Sequence, residues 1–324
     1  MKRYFFISPS GDGWKNLATD EYFLDNLAPD DFMLYLYINE RAVIIGHNQN
    51  PWTECRTEVM DKAGVQLVRR CSGGGAVYHD KGNLNFSFIT GSDNYDLDRQ
   101  IGIILSAVRA VGIEAEQTGR NDITVEGRKF SGNAFCARGE NKQHHGTLLI
   151  SADLGVMQDY LSVSREKLTS KGIKSVRSRV ANLTEFTPDL TVPQMADALR
   201  KACEENLGKF EDFVMTPEAE AEIGKYYTRH SSWDWRMGKS PDFDYSTEHR
   251  FPWGGVRLCL NVKNGFVTET ALFTDALDPE LAVKAQNALA GARFDRGELA
   301  SRLKNTENQP ELFEIGQYLE FSEL

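Results

Sequence analysis

Val68-Arg69-Arg70-Cys71-Ser72-Gly73-Gly74-Gly75-Ala76-Val77-Tyr78-His79 is the stretch around which this chain is organised. An apolar approach over residues 65–68 reads as a strand that runs into two arginines and three consecutive glycines. Three glycines cost backbone entropy and fill no core, so their use is conformational: a positive φ, or a backbone held close to a ligand. Arginines at the mouth of such a turn suit an anion, because the guanidinium offers a rigid fork of donors. On these residues alone the stretch is either a phosphate or carboxylate site, or a tight turn whose arginines are solvated.

Upstream of it, residues 4–7 read as a first strand, followed from Trp14 by apolar positions at helical spacing that stop at Ala28-Pro29. Residues 32–38 and 42–45 read as a strand pair joined through Asn39-Glu40-Arg41, the second strand delivering the polar run Gly46-His47-Asn48-Gln49-Asn50. Thr53 is a candidate cap for a helix over 54–63. Downstream, residues 84–89 alternate as a strand should, an apolar helix over 98–111 ends at Gly112, and residues 122–130 read as a hairpin turning at Gly127. Residues 147–151 form another strand candidate. Hairpins outnumber crossover helices, which points to α/β or α+β with a mixed or largely antiparallel sheet.

Residues 160–191 lack continuous apolar pattern and carry Lys167, Lys171, Lys174, Arg177 and Arg179. Such a basic segment covers a phosphate-bearing ligand, docks an acidic partner, or is an ordinary solvated loop. Helices are expected over 192–207 and 219–228, and residues 243–252 look like a joint. Beyond it, residues 256–262 and 266–273 form the clearest hairpin, turning at Asn264-Gly265 and followed by helical candidates over 279–290, 296–303 and 309–319. The expected division is 1–245 and 246–324, the second part a small accessory domain.

A chain of 324 residues can bury a full core and suits two domains. A formal charge of −10 argues against broad nucleic-acid binding while leaving room for a local basic site. Cys55, Cys71, Cys136, Cys203 and Cys259 are odd in number and contain no CxxC pair, which fits a reducing compartment. The apolar run after Met1 stops at Ser8-Pro9, too short for a signal or a membrane span, so a cytoplasmic protein is expected.

Familiar nucleotide motifs are missing: no G-x-G-x-x-G follows a strand, and Gly238-Lys239-Ser240 has Trp233 where a phosphate loop begins with glycine. His144 and His145 are adjacent and in a strand face opposite ways, and no H-E-x-x-H occurs, so a histidine-ligated metal is not expected. More informative are Gly119-Arg120-Asn121-Asp122-Ile123 and Gly127-Arg128-Lys129-Phe130-Ser131-Gly132. As a hairpin they let Lys129 and Asp122 share a strand pair and point toward one cavity. A lysine there stabilises charge on a carboxylate or phosphate oxygen, or is simply solvated. Asp122 and Asn121 are oxygen donors of the kind that take Mg²⁺ alongside phosphates. Cys71 and Cys136 are nucleophile candidates with no base identified beside them.

Taken together, Arg69 to Asp80, Gly82-Asn83, the two glycine-bounded motifs and His144-His145-Gly146-Thr147-Leu148-Leu149 resemble the lipoate–protein ligases. The resemblance continues through residues 172–180 and Phe251-Pro252-Trp253-Gly254-Gly255-Val256, and so covers nearly the whole chain. It implies an α+β fold: a biotin/lipoate-ligase-like catalytic domain with mixed, largely antiparallel sheets and a small α/β accessory domain. The implied activity is ATP-dependent conversion of lipoate, or octanoate, to lipoyl-AMP with loss of pyrophosphate, then transfer to a lysine of an acceptor lipoyl domain. Acceptors of this kind are the lipoyl domains of 2-oxoacid dehydrogenase complexes and the glycine cleavage H protein; a monomer with no nucleic-acid or membrane partner is implied.

Carried onto this sequence, the resemblance makes Lys129 catalytic, in contact with both the lipoyl carbonyl and the adenylate phosphate. Arg70, Gly75, Ala76, Val77, Tyr78, Asn83, Asp122 and Lys129 would hold ATP; Gly73, Gly74, Gly75, His79, Lys129 and Thr147 would hold lipoate; Asp122 and Asn121 would hold Mg²⁺. Cys71 stands where the enterobacterial form has serine, and a related acyltransferase uses cysteine as its nucleophile. An ATP-independent octanoyl or lipoyl transferase is the alternative enzyme, and a non-catalytic lipoyl-domain binder the alternative from another class. Formation of the adenylate is expected to order the basic segment over the pocket and to move the accessory domain.

Overall fold

The computed structural model describes residues 2–119, 121–161, 180–237 and 244–321. The basic segment from Lys167 to Arg179, Arg120 and Gly238-Lys239-Ser240 lie outside the described residues. An eight-stranded sheet forms the centre. Its order along the sheet is β11 (Glu211–Asp212), β1 (Arg3–Ile7), β2 (Phe32–Tyr37), β6 (Asn83–Gly91), β10 (Asn141–Leu149), β9 (Arg128–Arg138), β8 (Asp122–Val125) and β7 (Glu116–Thr118). β1 pairs in parallel with β2 and β11, and the remaining neighbours are antiparallel.

β2 is buried along its whole length, and its two faces feed two cores. Phe32, Leu34 and Leu36 join Phe86, Phe88, α3 (Leu97–Ala110) and α4 (Val192–Leu207) on one side. Met33, Tyr35 and Tyr37 join Leu17, Phe23 and Leu24 of α1 (Gly13–Asn26) on the other. α1 begins where Asp12 accepts from the Trp14 N–H, and it buries polar as well as apolar residues. Asn16 donates to the carbonyls of Ser10 and Ile38, and Glu21 meets His230 of α5 (Pro217–Ser231) at 2.7 Å, with Arg138 and Arg229 also on its carboxylate. Burial alone would raise the Glu21 pKa, but the His230 hydrogen bond and the charges of Arg138 and Arg229 hold it below the usual carboxylate range.

A second, three-stranded sheet carries the glycine stretch: β4 (Gln66–Arg69), β3 (Arg41–Ile45) and β5 (Val77–Asp80), with β3 central, parallel to β4 and antiparallel to β5. Residues 32–38 and 42–45 were expected to pair with each other; instead β2 lies in the large sheet and β3 in the small one. Both are wholly apolar runs, and periodicity alone cannot assign such strands to a sheet. Nor does Thr53 cap a single helix. Asn50 caps a short turn, Pro51–Glu54, and α2 (Thr57–Ala63) starts afresh after Cys55.

The last eighty residues build a third sheet, β12 (Tyr245–Phe251), β13 (Gly254–Lys263) and β14 (Phe266–Thr274), covered by α6 (Leu281–Leu289), α7 (Arg296–Lys304) and α8 (Pro310–Phe321). The expected joint over 243–252 is therefore mostly a strand of this sheet, whose exposed, polar face hides it from apolar patterning. Asn264 and Gly265 both have positive φ, the backbone a two-residue hairpin turn requires. The end of β14 returns to the glycine stretch and its neighbour loop: Thr274 N–H donates to the Asn48 carbonyl, and the Gly74 N–H to the Ala276 carbonyl. No helix among the described residues is long and apolar enough to cross a membrane.

Three histidines, His79, His144 and His145, are buried and pushed down to about 3, chiefly by desolvation. Asp20, buried in α1, is raised to about 7 for the same reason. Near pH 5 the unfolded chain therefore holds three extra imidazole protons and lacks the one that folded Asp20 keeps. Folded histidine pKa values lie below the unfolded value, so their contribution is full above about pH 6.5 and falls as acid is added. Stability should drop by about 2–3 kcal/mol per pH unit between pH 6 and 4.5; urea midpoints across this range check it, and a flat profile would contradict the burial of these groups.

Candidate active site

Between the small sheet and the β6–β10–β9 part of the large sheet lies a cavity of about 310 Å³. Arg70, Gly74, Gly75, Ala76, Val77, Tyr78, His79, Asn83, Asn121, Lys129 and Thr147 line it, so eleven of the thirteen residues selected from the sequence converge on one space. Gly73 and Asp122 do not line it. A Cβ on Gly73 would stand 2.3 Å from the Ala276 carbonyl oxygen and 2.5 Å from that of Leu277. The absent side chain there admits the backbone of residues 276 and 277. Gly74, with φ of +95°, is the one glycine of the three in the left-handed region.

The arginines were read as anion ligands or solvated groups; both are buried. Arg70 donates to the carbonyls of Gly73 at 2.7 Å and Gly75 at 2.9 Å and to the Ser72 hydroxyl at 3.1 Å. It thus shapes the loop from within, and burial lowers it only to about 10, so it keeps its charge beside the cavity. With the carbonyls turned to Arg70, the Gly75 and Ala76 N–H groups have no partner among the described residues. Successive free N–H groups next to a cation make a place for a phosphate.

Lys129 owes its direction to a β-bulge. Thr124 pairs with Lys129 and Ile123 with Ser131, so Phe130 is an extra residue that drops into the core. The lysine side chain then lies across Gly132, where a Cβ would be 3.0 Å from both Cε and Nζ, and its ammonium reaches Asp122 Oδ1 at 2.6 Å. Both partners are about a third exposed, so the pair contributes orientation more than stability. Asn121 is fixed by exchange with Asn133: its Nδ2 donates to the Asn133 carbonyl, and Asn133 N and Nδ2 donate to the Asn121 carbonyl.

His144 and His145 face opposite ways, as their adjacency required. His144 lies in the core between Gln100 and Asn133, while His145 enters the cavity and bonds the Ser72 hydroxyl at 2.6 Å. His79 Nδ1 accepts from Asn39 Nδ2 at 3.1 Å, which leaves the proton on Nε2, a buried donor with no partner among the described residues. Sequence reasoning missed Leu17, Tyr37 and Ile44 of the apolar wall, and Ser131, Asn133 and His145 of the polar one. The His-His-Gly run was a usable signal for His145; the apolar three looked like ordinary core.

Residues 12–204 match the family model of the lipoyl protein ligase A/B catalytic domain, and residues 240–319 that of the bacterial lipoate protein ligase C-terminus. Lipoate-protein ligase A of Psychrobacter cryohalolentis is 40% identical over 311 residues, covering 93% of this chain and 92% of that protein. The crystal structure of P. falciparum LipL1 in complex with lipoate superposes with a TM-score of 0.86 at 30% identity, over 99% of this chain and all of that one. A lipoate-protein ligase A bound with ATP gives 0.65 at 30% identity over 73% of this chain and 98% of its own. With both family models matched in their expected order, and with a loop and a lysine suited to a phosphate and a carboxylate facing one cavity, the chain belongs to the lipoate–protein ligase family, and its reaction is the ATP-dependent attachment of lipoate to protein.

Proposed function

We propose that Lys129 is the charge shared by both steps of the ligation, with the Arg70-anchored loop as the nucleotide's seat. The ammonium held at 2.6 Å by Asp122 on the cavity wall is the observation that carries this reading. A carboxylate is a poor electrophile until it becomes a mixed anhydride. Its attack on the α-phosphorus brings two anions together, and Arg70 and Lys129 offset that repulsion in a site where water is scarce. Gly75, Ala76, Val77 and Tyr78 supply loop backbone to the phosphates, and Asn83 supports the nucleotide from β6. His79, through its free Nε2–H, and Thr147 contact lipoate along the tail path, with Gly74 and Gly75 leaving it room.

In the second step the acceptor lysine attacks the carbonyl as a free amine. Lys129 then steadies the developing oxyanion, and its charge disfavours the ammonium form of the incoming lysine. Asp122 and Asn121, one carboxylate and one amide oxygen beside the cavity, fit the hard-oxygen preference of Mg²⁺ and would hold it. When bound, that ion would shield phosphate charge. Lipoyl domains of 2-oxoacid dehydrogenase complexes and the glycine cleavage H protein are the acceptors we assign, octanoate a second acyl substrate, and a cytoplasmic monomer the working form. The catalytic work belongs to residues 1–245, with 246–324 as accessory domain.

Lipoate-dependent exchange of labelled pyrophosphate into ATP should be observed with the folded protein, and its absence would remove the adenylation step. Replacing Lys129 with alanine should slow both adenylation and transfer by at least ~10²-fold without changing the melting temperature. Gly132→Ala tests the positioning separately. Its new methyl group would stand 3.0 Å from Lys129 Cε and Nζ and shift the ammonium relative to Asp122 by a few tenths of an ångström, while the backbone, at an ordinary φ, tolerates alanine. A fall in kcat of at least about tenfold with a smaller change in KM for lipoate is expected; wild-type kcat in this variant would show that the Lys129–Asp122 geometry is dispensable.

A further inference from the structure

Two cysteines that the ligation does not use meet beneath the glycine loop. Cys136 lies on β9 directly opposite Gln143 on β10, so their side chains share one face of the sheet. Cys71 comes down on that face from the other side: its thiol reaches Gln143 Oε1 at 3.9 Å, and it packs into the same apolar cluster as Cys136. Both cysteines therefore lie against Gln143 within one apolar cluster, and their titrations are linked. Cys71 is half-buried and Cys136 is buried, whereas Cys55, Cys203 and Cys259 are buried and belong to other parts of the core or of the accessory domain.

From this juxtaposition we propose that Cys71 and Cys136 are a redox-active pair, and that their disulfide ties the glycine loop to the Lys129 strand and slows ligation. The oxidant class is a small disulfide, R–S–S–R. The half-buried Cys71 thiol, whose pKa is raised by its contact with Cys136 and by burial, loses its proton and attacks one sulfur of the reagent, forming a mixed disulfide and releasing RS⁻, which takes up that proton. Cys136 sulfur then attacks Cys71 sulfur, forming the internal bond and expelling the second RS⁻, which takes up the Cys136 proton. Two cysteine thiols are oxidised, one reagent disulfide is reduced, and two RSH leave.

The local electrostatics suit the second attack. With Cys71 held in the mixed disulfide and no longer a donor, the Arg138 charge favours the Cys136 thiolate against the opposing effect of burial. Gln143 is itself held, its Nε2 donating to the Ser87 hydroxyl at 2.9 Å, so the floor under the pair is fixed. Bond formation brings the sulfurs to about 2.05 Å. The shift falls on the loop, because β9 is clamped between β8 and β10. Cys71 is flanked by Arg70, which sets the loop carbonyls, and by Ser72, which holds His145. A displacement of about 1 Å in such positioning groups can cost on the order of 10²-fold in rate.

Treating the full-length protein with cystamine, then mapping peptides without reduction, tests the proposal. A Cys71–Cys136 cross-linked peptide should form, two of the five thiols should be lost with no reagent mass retained, and dithiothreitol should reverse it. Cys136→Ser should instead retain the reagent on Cys71. The linked wild-type protein should ligate lipoate at least about tenfold more slowly than the same sample after dithiothreitol. A stable mixed disulfide on wild-type Cys71, or both cysteines still open to alkylation, would overturn the pair. Full ligation by the linked form would overturn its control of activity. The mapping needs only wild-type protein, so the outcome stands whether or not the serine variant folds, and it does not depend on the roles assigned to Lys129 or Arg70.

Discussion

Arg69 is fully buried and forms no ion pair with a carboxylate among the described residues; its guanidinium donates to the carbonyls of Gly46, His47, Gln49, Trp235 and Arg236. Arg70 beside it does the same for Ile44, Gly73 and Gly75. Desolvation lowers each to about 10, well above neutral pH, so two full positive charges sit side by side in the interior. Such an arrangement is tolerable only because backbone dipoles surround it, and removing one set of acceptors would leave a buried charge at a cost of about 3–5 kcal/mol. The end of β3, the glycine turn and the Trp233–Arg236 turn are therefore mutually dependent. Tightness of the same kind recurs between backbones: a Cβ on Gly46 would stand 2.1 Å from the Gly74 carbonyl oxygen.

From that fixed centre the cavity acquires two different walls. The small sheet contributes rigid, positively charged backbone, and the large sheet contributes side chains aimed by strand geometry. β9 supplies Lys129 only because a bulge at Phe130 breaks its alternation, anchoring the strand by an aromatic ring while turning the ammonium along the wall. Opposite it, His79 and His145 are kept neutral by burial and by Arg70, so they act as hydrogen-bonding groups beside a cation. Positive charge beside the cavity is thus concentrated on Arg70 and Lys129.

The accessory domain enters the same centre. Its loop after β14 meets Gly73 through backbone and Gly74 through the Ala276 carbonyl and the Leu277 side chain, and Asn48 ties down the neighbouring polar loop by donating to the Pro279 carbonyl at 2.8 Å. Contacts made by main chain are insensitive to side-chain identity on the accessory side but demand glycine on the other. That asymmetry demands glycine at 73 and the positive φ accounts for Gly74, whereas a Cβ on Gly75 would meet open space.

The sequence by itself determined the features that rest on local chemistry: the glycine turn, the Gly127 and Asn264-Gly265 hairpins, the opposed histidines, and a lysine and an aspartate on adjoining strands. These follow from φ preference and from the two-residue period of a strand, which act over a few neighbours. Tertiary structure alone decided that β2 and β3 part into different sheets, because an apolar run carries no information about which sheet covers it. It likewise decided that Gly73 meets residues 276 and 277, two hundred positions away, and that Arg69 and Arg70 face carbonyls instead of solvent. Cys71 and Cys136, sixty-five positions apart, come to the same residue, Gln143, only through the pairing of β9 with β10 and the packing of the loop on it. Contacts at such separation depend on how whole elements pack, and no spacing along the chain encodes them.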